Sequence, residues 1–202
     1  MAQERNTEEL IIEAARKIFI QRGLAGARMQ DIADEAGINK AMLHYYYRSK
    51  EKLFEIVFNE AIGRVIGRLG HILSQPMPIM EKIPAIVESY IDSLTAAPYL
   101  PMFVLNEIGQ HPEVFVQRLK AQANGPAIMQ FMKDIVDAGK NGEIREVSPV
   151  QLFLNIVSMC IFPFIGRPMA QGMLQLDNVQ YNMIIEDRKK VITEVIFAWL
   201  KT

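Results

Sequence analysis

The sequence predicts an all-α chain in two parts, a three-helix module with a helix-turn-helix over residues 4–64 and a larger helical domain over 65–202. Three observations carry this. Apolar residues recur at three- and four-residue spacing along the chain, and no stretch alternates apolar and polar as a half-buried strand does. Proline, glycine and asparagine punctuate those stretches at helix-length intervals. Finally, Gln30–Leu53, QDIADEAGINKAMLHYYYRSKEKL, reads as two short helices around one tight turn, followed by the start of a third. Half of the 202 residues are hydrophobic, enough for a sizeable core.

The elements follow in order. Asn6, with Glu9 three residues on, has the form of a helix cap. Leu10, Ile11, Ala14, Ala15, Ile18 and Phe19 then make one apolar stripe, and Gly23 ends the helix. In the next helix Ile32, Ala33 and Ala36 share a face, and the small Ala33 admits a crossing partner. Gly37 stands where the chain must turn through a left-handed conformation. Leu43 and Tyr47, four apart, form the inner face of the second short helix. At 100° per residue Ala41 and Tyr45 point outward, with Met42, His44 and Arg48 on the flanks. Ser49 caps a long helix from Lys50 to about Ser74, and Pro76 and Pro78 break the chain. Further helices are expected near Pro84–Ala97, Pro101–Gln110, Glu113–Ala123 and Pro126–Lys140. Ser148-Pro149 opens an apolar helix reaching about Ile165, Arg167 to Gly172 reads as a loop, and a last helix covers Val179–Leu200.

Charge is unevenly placed. The formal net charge is −1, yet Arg16–Lys52 holds eight Lys/Arg against four Asp/Glu. From Leu53 onward the balance turns slightly acidic. Positive charge therefore gathers around the helix-turn-helix, as neutralisation of DNA phosphates requires. Ser49 and Lys50 place a helix start and a full positive charge where a phosphate is favoured. Lys40 has the reach for a guanine edge or a phosphate, and Gln30 carries the amide that bonds an adenine edge. Arg5 belongs to an arm that reaches a minor groove or to a disordered surface tail.

The run IADEAGINKAMLHYYYRSKEKL resembles the DNA-binding signature of TetR-family transcriptional regulators: a helix with IA-x-x-AG, then V/I-S-x-x-x-L/I-Y-x-H/Y-F, then K-x-S/N-K-E-x-L. The match covers about the first quarter of the chain. The resemblance implies DNA contacts from Arg28, Gln30, Lys40, Ala41, Met42, His44, Tyr45, Tyr46 and Lys50, and a C-terminal bundle for effector binding and dimerisation. Three positions depart from the family. Arg28 stands where a capping threonine is common, His44 replaces the usual tyrosine, and Tyr47 replaces the usual phenylalanine.

In the C-terminal part nine of the twelve methionines follow residue 75. Met and Phe at helical spacing suit either ordinary core filling or a pliable pocket for an apolar or aromatic effector. Candidate pocket residues are Met102, Phe103, Asn106, Phe131, Asn155, Met159 and Phe162. Two apolar stripes on each of the last two long helices point to a four-helix dimer interface through Phe153, Ile156, Cys160, Ile185, Ile192, Val195 and Trp199. The alternative is that both stripes lie within one thick core. Gly63, Gly67 and Gly70 on the connecting helix allow bending or close helix approach. Glu107 and His111 are spaced for a shared metal, but Pro112 ends their helix and no further ligand is near, so no metal or cofactor is expected. His71 has no obvious partner.

One cysteine excludes an intramolecular disulfide and the N-terminus lacks an apolar signal core, which fits a cytoplasmic protein with no membrane partner. Val150–Ile165 is too short and too interrupted to span a bilayer. No nucleophile–base–acid set is recognisable, so an enzyme is not expected. The expected function is a homodimeric regulator, a repressor released from a double-stranded operator by a small apolar or aromatic effector. The rival readings are a helical enzyme or carrier using the C-terminal cavity, and an effector-free architectural DNA binder.

Overall fold

The computed structural model describes residues 2–98, 100–110, 112–121 and 125–201. Among these residues every regular element is helical: α1 (Ala2–Gly26), α2 (Met29–Glu35), α3 (Lys40–Tyr46), α4 (Lys50–Ser74), α5 (Ile79–Ala96), α6 (Leu100–Gln110), α7 (Pro112–Ala121), α8 (Gly125–Lys140), α9 (Pro149–Ile165), α10 (Arg167–Leu174) and α11 (Asn178–Leu200).

Local chemistry explains most boundaries. Gly23, at φ 64°, breaks the regular helix of α1. Gly37 makes the turn after α2 at φ 67°. Among the described residues a Cβ there would meet nothing within 4 Å, so the need for glycine is conformational. Ser49 caps α4, its Oγ accepting from the Lys52 amide at 3.2 Å. A reciprocal capping box between Asp177 and Gln180 starts α11.

Three expectations are corrected. α1 begins by Ala2, so Asn6 lies within it; the preceding residues tolerate helix well and need no start signal at Asn6. α5 begins at Ile79, directly after Pro78, and carries Pro84 inside, where the ring leaves no N–H for the carbonyl four residues back. The expected loop at Arg167–Gly172 is α10. Its Pro168 sits in the first turn, where a missing N–H costs nothing, and Gln175 stops the helix in a left-handed conformation at φ 55°.

The described chain forms two compact units. The first comprises Met1–Gly63 together with Met102–Phe115. Its core joins Ile11, Ala15, Phe19, Ile32, Ala33 and Leu43 to an aromatic cluster on α4 and α6. Phe54 meets Phe19 edge-on at 5.0 Å and Phe103 at 4.8 Å, and Phe58 lies 5.4 Å from Phe103 and 5.9 Å from Phe115. These rings tie α6 and the start of α7 to this unit.

The second unit comprises Arg64–Pro101 and Val116–Thr202. In it α5, α9 and α11 pack on one another, with α8 against α5 and α9 and α10 against α9 and α11. Ile83, Val87, Phe131, Leu152, Ile156 and Ile192 fill its core. Lys82 is only 1 % exposed, and its ammonium donates to Asp134 at 2.5 Å and to the Leu73 carbonyl at 3.1 Å. Its signal was in the sequence: Lys82 falls on the apolar stripe of Ile79, Ile83 and Ile86. Among the described residues no single helix is long and apolar enough to cross a membrane.

Candidate nucleic-acid interface

The site is built from two seven-residue helices that cannot stand alone. α3 is started by Asn39, whose Oδ1 accepts from the Met42 amide at 2.7 Å. Sequence reading passed over this cap, although asparagine directly before a helix is its usual mark. Leu43 is fully buried and anchors α3 to the module. One buried residue on a short helix fixes what faces outward. Lys40, Ala41, Met42, His44 and Tyr45 are all exposed, Tyr45 at 84 %. Tyr46 is half-buried, and its ring meets Tyr45 edge-on at 5.6 Å. The Tyr45 ring is thus propped outward on a neighbour.

α2 carries two polar flanks with different tasks. Asp31 and Glu35 face α1: Arg22 donates to Asp31 at 2.5 Å, and Lys17 to Glu35 at 2.6 Å. These pairs orient α2 and mask two carboxylates beside the positively charged face. Gln30 and Asp34 occupy the other flank, where Gln30 Nε2 donates to Asp34 Oδ1 at 2.7 Å. Arg28 is exposed at the N-cap position of α2 and makes no side-chain cap bond, as its lack of an acceptor requires. Lys50, half-buried, opens α4 immediately after the Ser49 cap. Tyr47 is half-buried, and its hydroxyl is held above the ordinary phenol range by burial, then by Glu8 and Glu60. The nine expected DNA positions thus lie on α2, α3, the residue before α2 and the first turn of α4.

The expected pocket residues divide between the units. Met102, Phe103 and Asn106 belong to the first; Phe103 is core in the aromatic cluster, while Met102 and Asn106 are exposed. Phe131 is buried core in the second unit, Asn155 and Met159 are half-buried, and Phe162 is 60 % exposed. Neither unit gathers all seven.

Four expected interface residues turn inward. Ile156, Cys160, Ile185 and Ile192 are buried within the chain itself, because α9 and α11 each spend one stripe on packing against α5. In the protomer each is at most 5 % exposed. Phe153 and Trp199 are half-buried, with the Arg145 guanidinium 5.2 Å over the Trp199 ring, and Val195 is exposed. Cys160 is held as a neutral thiol, pushed up to about 12 by burial with Arg188 pulling the other way. Tyr90 is likewise held above its ordinary range by burial, then by Cys160. Arg188 donates to the Met159 carbonyl at 3.1 Å, but among the described residues neither its Nε nor the Ser93 hydroxyl, both buried, has a hydrogen-bond partner.

Other polar candidates resolve simply. His71 has a partner after all, with Gln75 Nε2 2.9 Å from its Nε2. Glu107 is buried, and His111 lies outside the described residues. Among the described residues no group of three or more His, Cys, Asp or Glu is placed to hold a metal. Among the described residues a Cβ at Gly67 would meet nothing within 4 Å.

Comparison with known proteins adds to this geometry. Residues 11–57 match the family model for "Bacterial regulatory proteins, tetR family", and residues 80–196 match "Tetracyclin repressor-like, C-terminal domain". The chain is 24 % identical over 180 residues to the HTH-type transcriptional repressor NicS of Pseudomonas putida, covering 87 % of this chain and 84 % of that one. It is 26 % identical over 204 aligned positions to the HTH-type transcriptional regulator RutR of Escherichia coli K12, covering 94 % and 90 %. Among solved structures it is similar in fold to the transcriptional regulator FadR from Bacillus subtilis in complex with stearoyl-CoA, with a TM-score of 0.67, 16 % identity and coverage of 96 % and 99 %.

Proposed function

The chain belongs to the tetR family of bacterial regulatory proteins, DNA-binding regulators of transcription and not enzymes, and on that footing we propose that it acts as a homodimeric repressor released from its operator by a small apolar effector. The observation that carries the reading is the outward face of α3. A short helix buries one leucine and turns a lysine, a histidine and a 84 % exposed tyrosine away from the module. That face suits base edges in a major groove, while Arg28 and Lys50 at the margins suit the phosphates.

Dimerisation is supported by the outer faces of α9 and α11. Val150, Leu154 and Phe162 on α9, and Ile184, Val191 and Val195 on α11, remain exposed in the protomer. A second copy covering these faces would complete a four-helix bundle about a twofold axis. It would also present two recognition helices to half-sites about 34 Å apart. The interface thus runs along Val195 and its exposed neighbours rather than along the stripe of Ile185 and Ile192.

For the effector, similarity to a regulator solved with stearoyl-CoA favours a molecule with a long apolar part. The Ser93 hydroxyl and Arg188 Nε, buried without a partner among the described residues, favour one that also carries an acceptor oxygen. A buried donor left unmade costs about 1–3 kcal/mol, which an incoming acceptor would relieve. The test is selection of bound fragments from genomic DNA, followed by shift assays on the selected operator with fatty acyl and aromatic acids. The expected result is a salt-sensitive, sequence-selective shift that one of these ligands weakens, with the operator reciprocally weakening ligand binding. Ligands that bind and stabilise the protein without changing operator affinity would overturn effector control.

A further inference from the structure

We infer that Ala41 and Tyr45, at the centre of the outward face of α3, form an apolar seat for the C5-methyl group of a thymine, so that each half-site is selected through one thymine methyl in the major groove. The inference rests on the DNA-binding reading above and deepens it by naming the base feature that α3 takes.

Leu43, the buried residue of α3, sets the direction of every other side chain on that helix. With 3.6 residues per turn, Ala41 and Tyr45 each lie about 160° around the axis from Leu43, on either side of the line that points straight out. Met42 and His44 lie about 100° from Leu43, and Lys40 and Tyr46 about 60°. The basic groups of Lys40 and His44 thus leave the helix toward the sides, where a groove has its phosphate walls. What stands at the centre is a methyl group and an aromatic ring.

Both groups are open to contact. Ala41 is exposed, and Tyr45 is 84 % exposed with its ring edge-on to Tyr46 at 5.6 Å. A ring has few torsions to freeze, so seating it against a base costs little entropy. The hydroxyl of Tyr45 is the only hydrogen-bonding side-chain group that the central pair offers. Apolar surface at the centre of this face gains nothing from phosphates. It gains from an apolar feature of a base edge, and in the major groove that feature is the thymine C5-methyl. Cytosine lacks the methyl, and the purines present N7 with an amino group or a carbonyl.

The experiment compares an operator selected by the full-length wild type with copies in which deoxyuridine replaces one thymine at a time, symmetrically in both half-sites. Uracil keeps the pairing and the O4 acceptor and loses only the methyl. For the wild type, one thymine of each half-site should be sensitive, with affinity falling about fourfold for each methyl removed. The ratio of thymine to uracil affinities is taken within one protein, so differences in stability between variants cancel. Tyr45→Ala should bring that ratio to about one, and Ala41→Gly should lower it as well. Tyr45→Phe should keep it, because the ring and not the hydroxyl makes the contact. A selected half-site without thymine, affinity unmoved by every uracil, a ratio left at its wild-type value by Tyr45→Ala or by Ala41→Gly, or a ratio lost in Tyr45→Phe overturns the inference while leaving DNA binding intact. A wild type that selects no sequence at all overturns the functional reading itself.

Discussion

α3 and α11 both bury one stripe and expose another, but they expose opposite chemistries. α3 hides Leu43 and shows Lys40, His44 and Tyr45. α11 hides Ile185, Ile192 and Ile196 and shows Met183, Ile184, Val191 and Val195. A polar and aromatic outer face is stable in water and ready for a hydrated, charged partner. An apolar outer face on a long helix loses free energy in water and asks to be covered. On the proposed function the difference would separate two binding tasks in one chain: nucleic acid at the seven-residue helix, a second copy of the protein at the long one.

The largest expected effect comes from mixing the two stripes of α11. Ile192→Glu places a carboxylate at a fully buried position and should cost more than about 4 kcal/mol, measured as loss of cooperative urea unfolding. Three residues on, Val195→Glu should leave the protomer folded and shift sedimentation at micromolar concentration from dimer to monomer, with weakened operator binding. If both variants unfold, or both stay dimeric, the division of α11 into an inner and an outer face is wrong.

Next in size is the aromatic cluster. Phe103→Ala should destabilise the chain by roughly 3–5 kcal/mol, as a buried ring in contact with Phe54 and Phe58. Phe162→Ala, at an exposed position, should change protomer stability by about 0.5 kcal/mol or less. Equal costs in chemical denaturation would refute the placement of Phe103 as core.

Alkaline pH should reveal the inner face of α9. Burial raises the Cys160 thiol from 9.0 to about 12, so the fold favours the neutral form. Its contribution to stability is complete below pH 9.0 and is lost as pH rises toward about 12. Tyr47, Tyr90 and Tyr181 are raised in the same direction, so the readout is a difference. The stability gap between wild type and Cys160→Ala should shrink with rising pH. A constant gap would show that the thiol is not held neutral by the fold.

A smaller effect belongs to the outer surface of the DNA module. Lys50→Ala should flatten the log–log salt dependence of operator binding by roughly 0.9, the signature of one lost phosphate contact. An unchanged slope removes Lys50 from the contact surface.

Much of this organisation was legible in the residues, for identifiable reasons. The turn at Gly37, the Ser49 cap and the span of α4 follow from local chemistry that operates within a few residues. What the sequence could not separate was the two stripes of α11. Ile192 and Val195 are equally apolar, and only packing against α5 decides which lies inside. Phe103 illustrates the same limit. Its periodicity marks a buried face but not which core buries it, and contacts with Phe54 and Phe58, some fifty residues earlier, place it in the first unit. The ion pairs of Arg22 with Asp31 and Lys17 with Glu35 also join different helices and have no local signal. The Gln30–Asp34 bond, by contrast, lies within one helix at four-residue spacing and was available to a reader of the sequence.

The assignment of the outward α3 face to base reading stands or falls on one ratio: the affinity for a selected operator over that for random duplex, at a fixed salt concentration, in wild type and Tyr45→Ala. For the wild type the ratio should be on the order of 10³ or more. In Tyr45→Ala it should fall by about tenfold while affinity for random duplex and thermal stability hardly change. A wild-type ratio near one, or an equal loss on operator and random DNA in the variant, would contradict it.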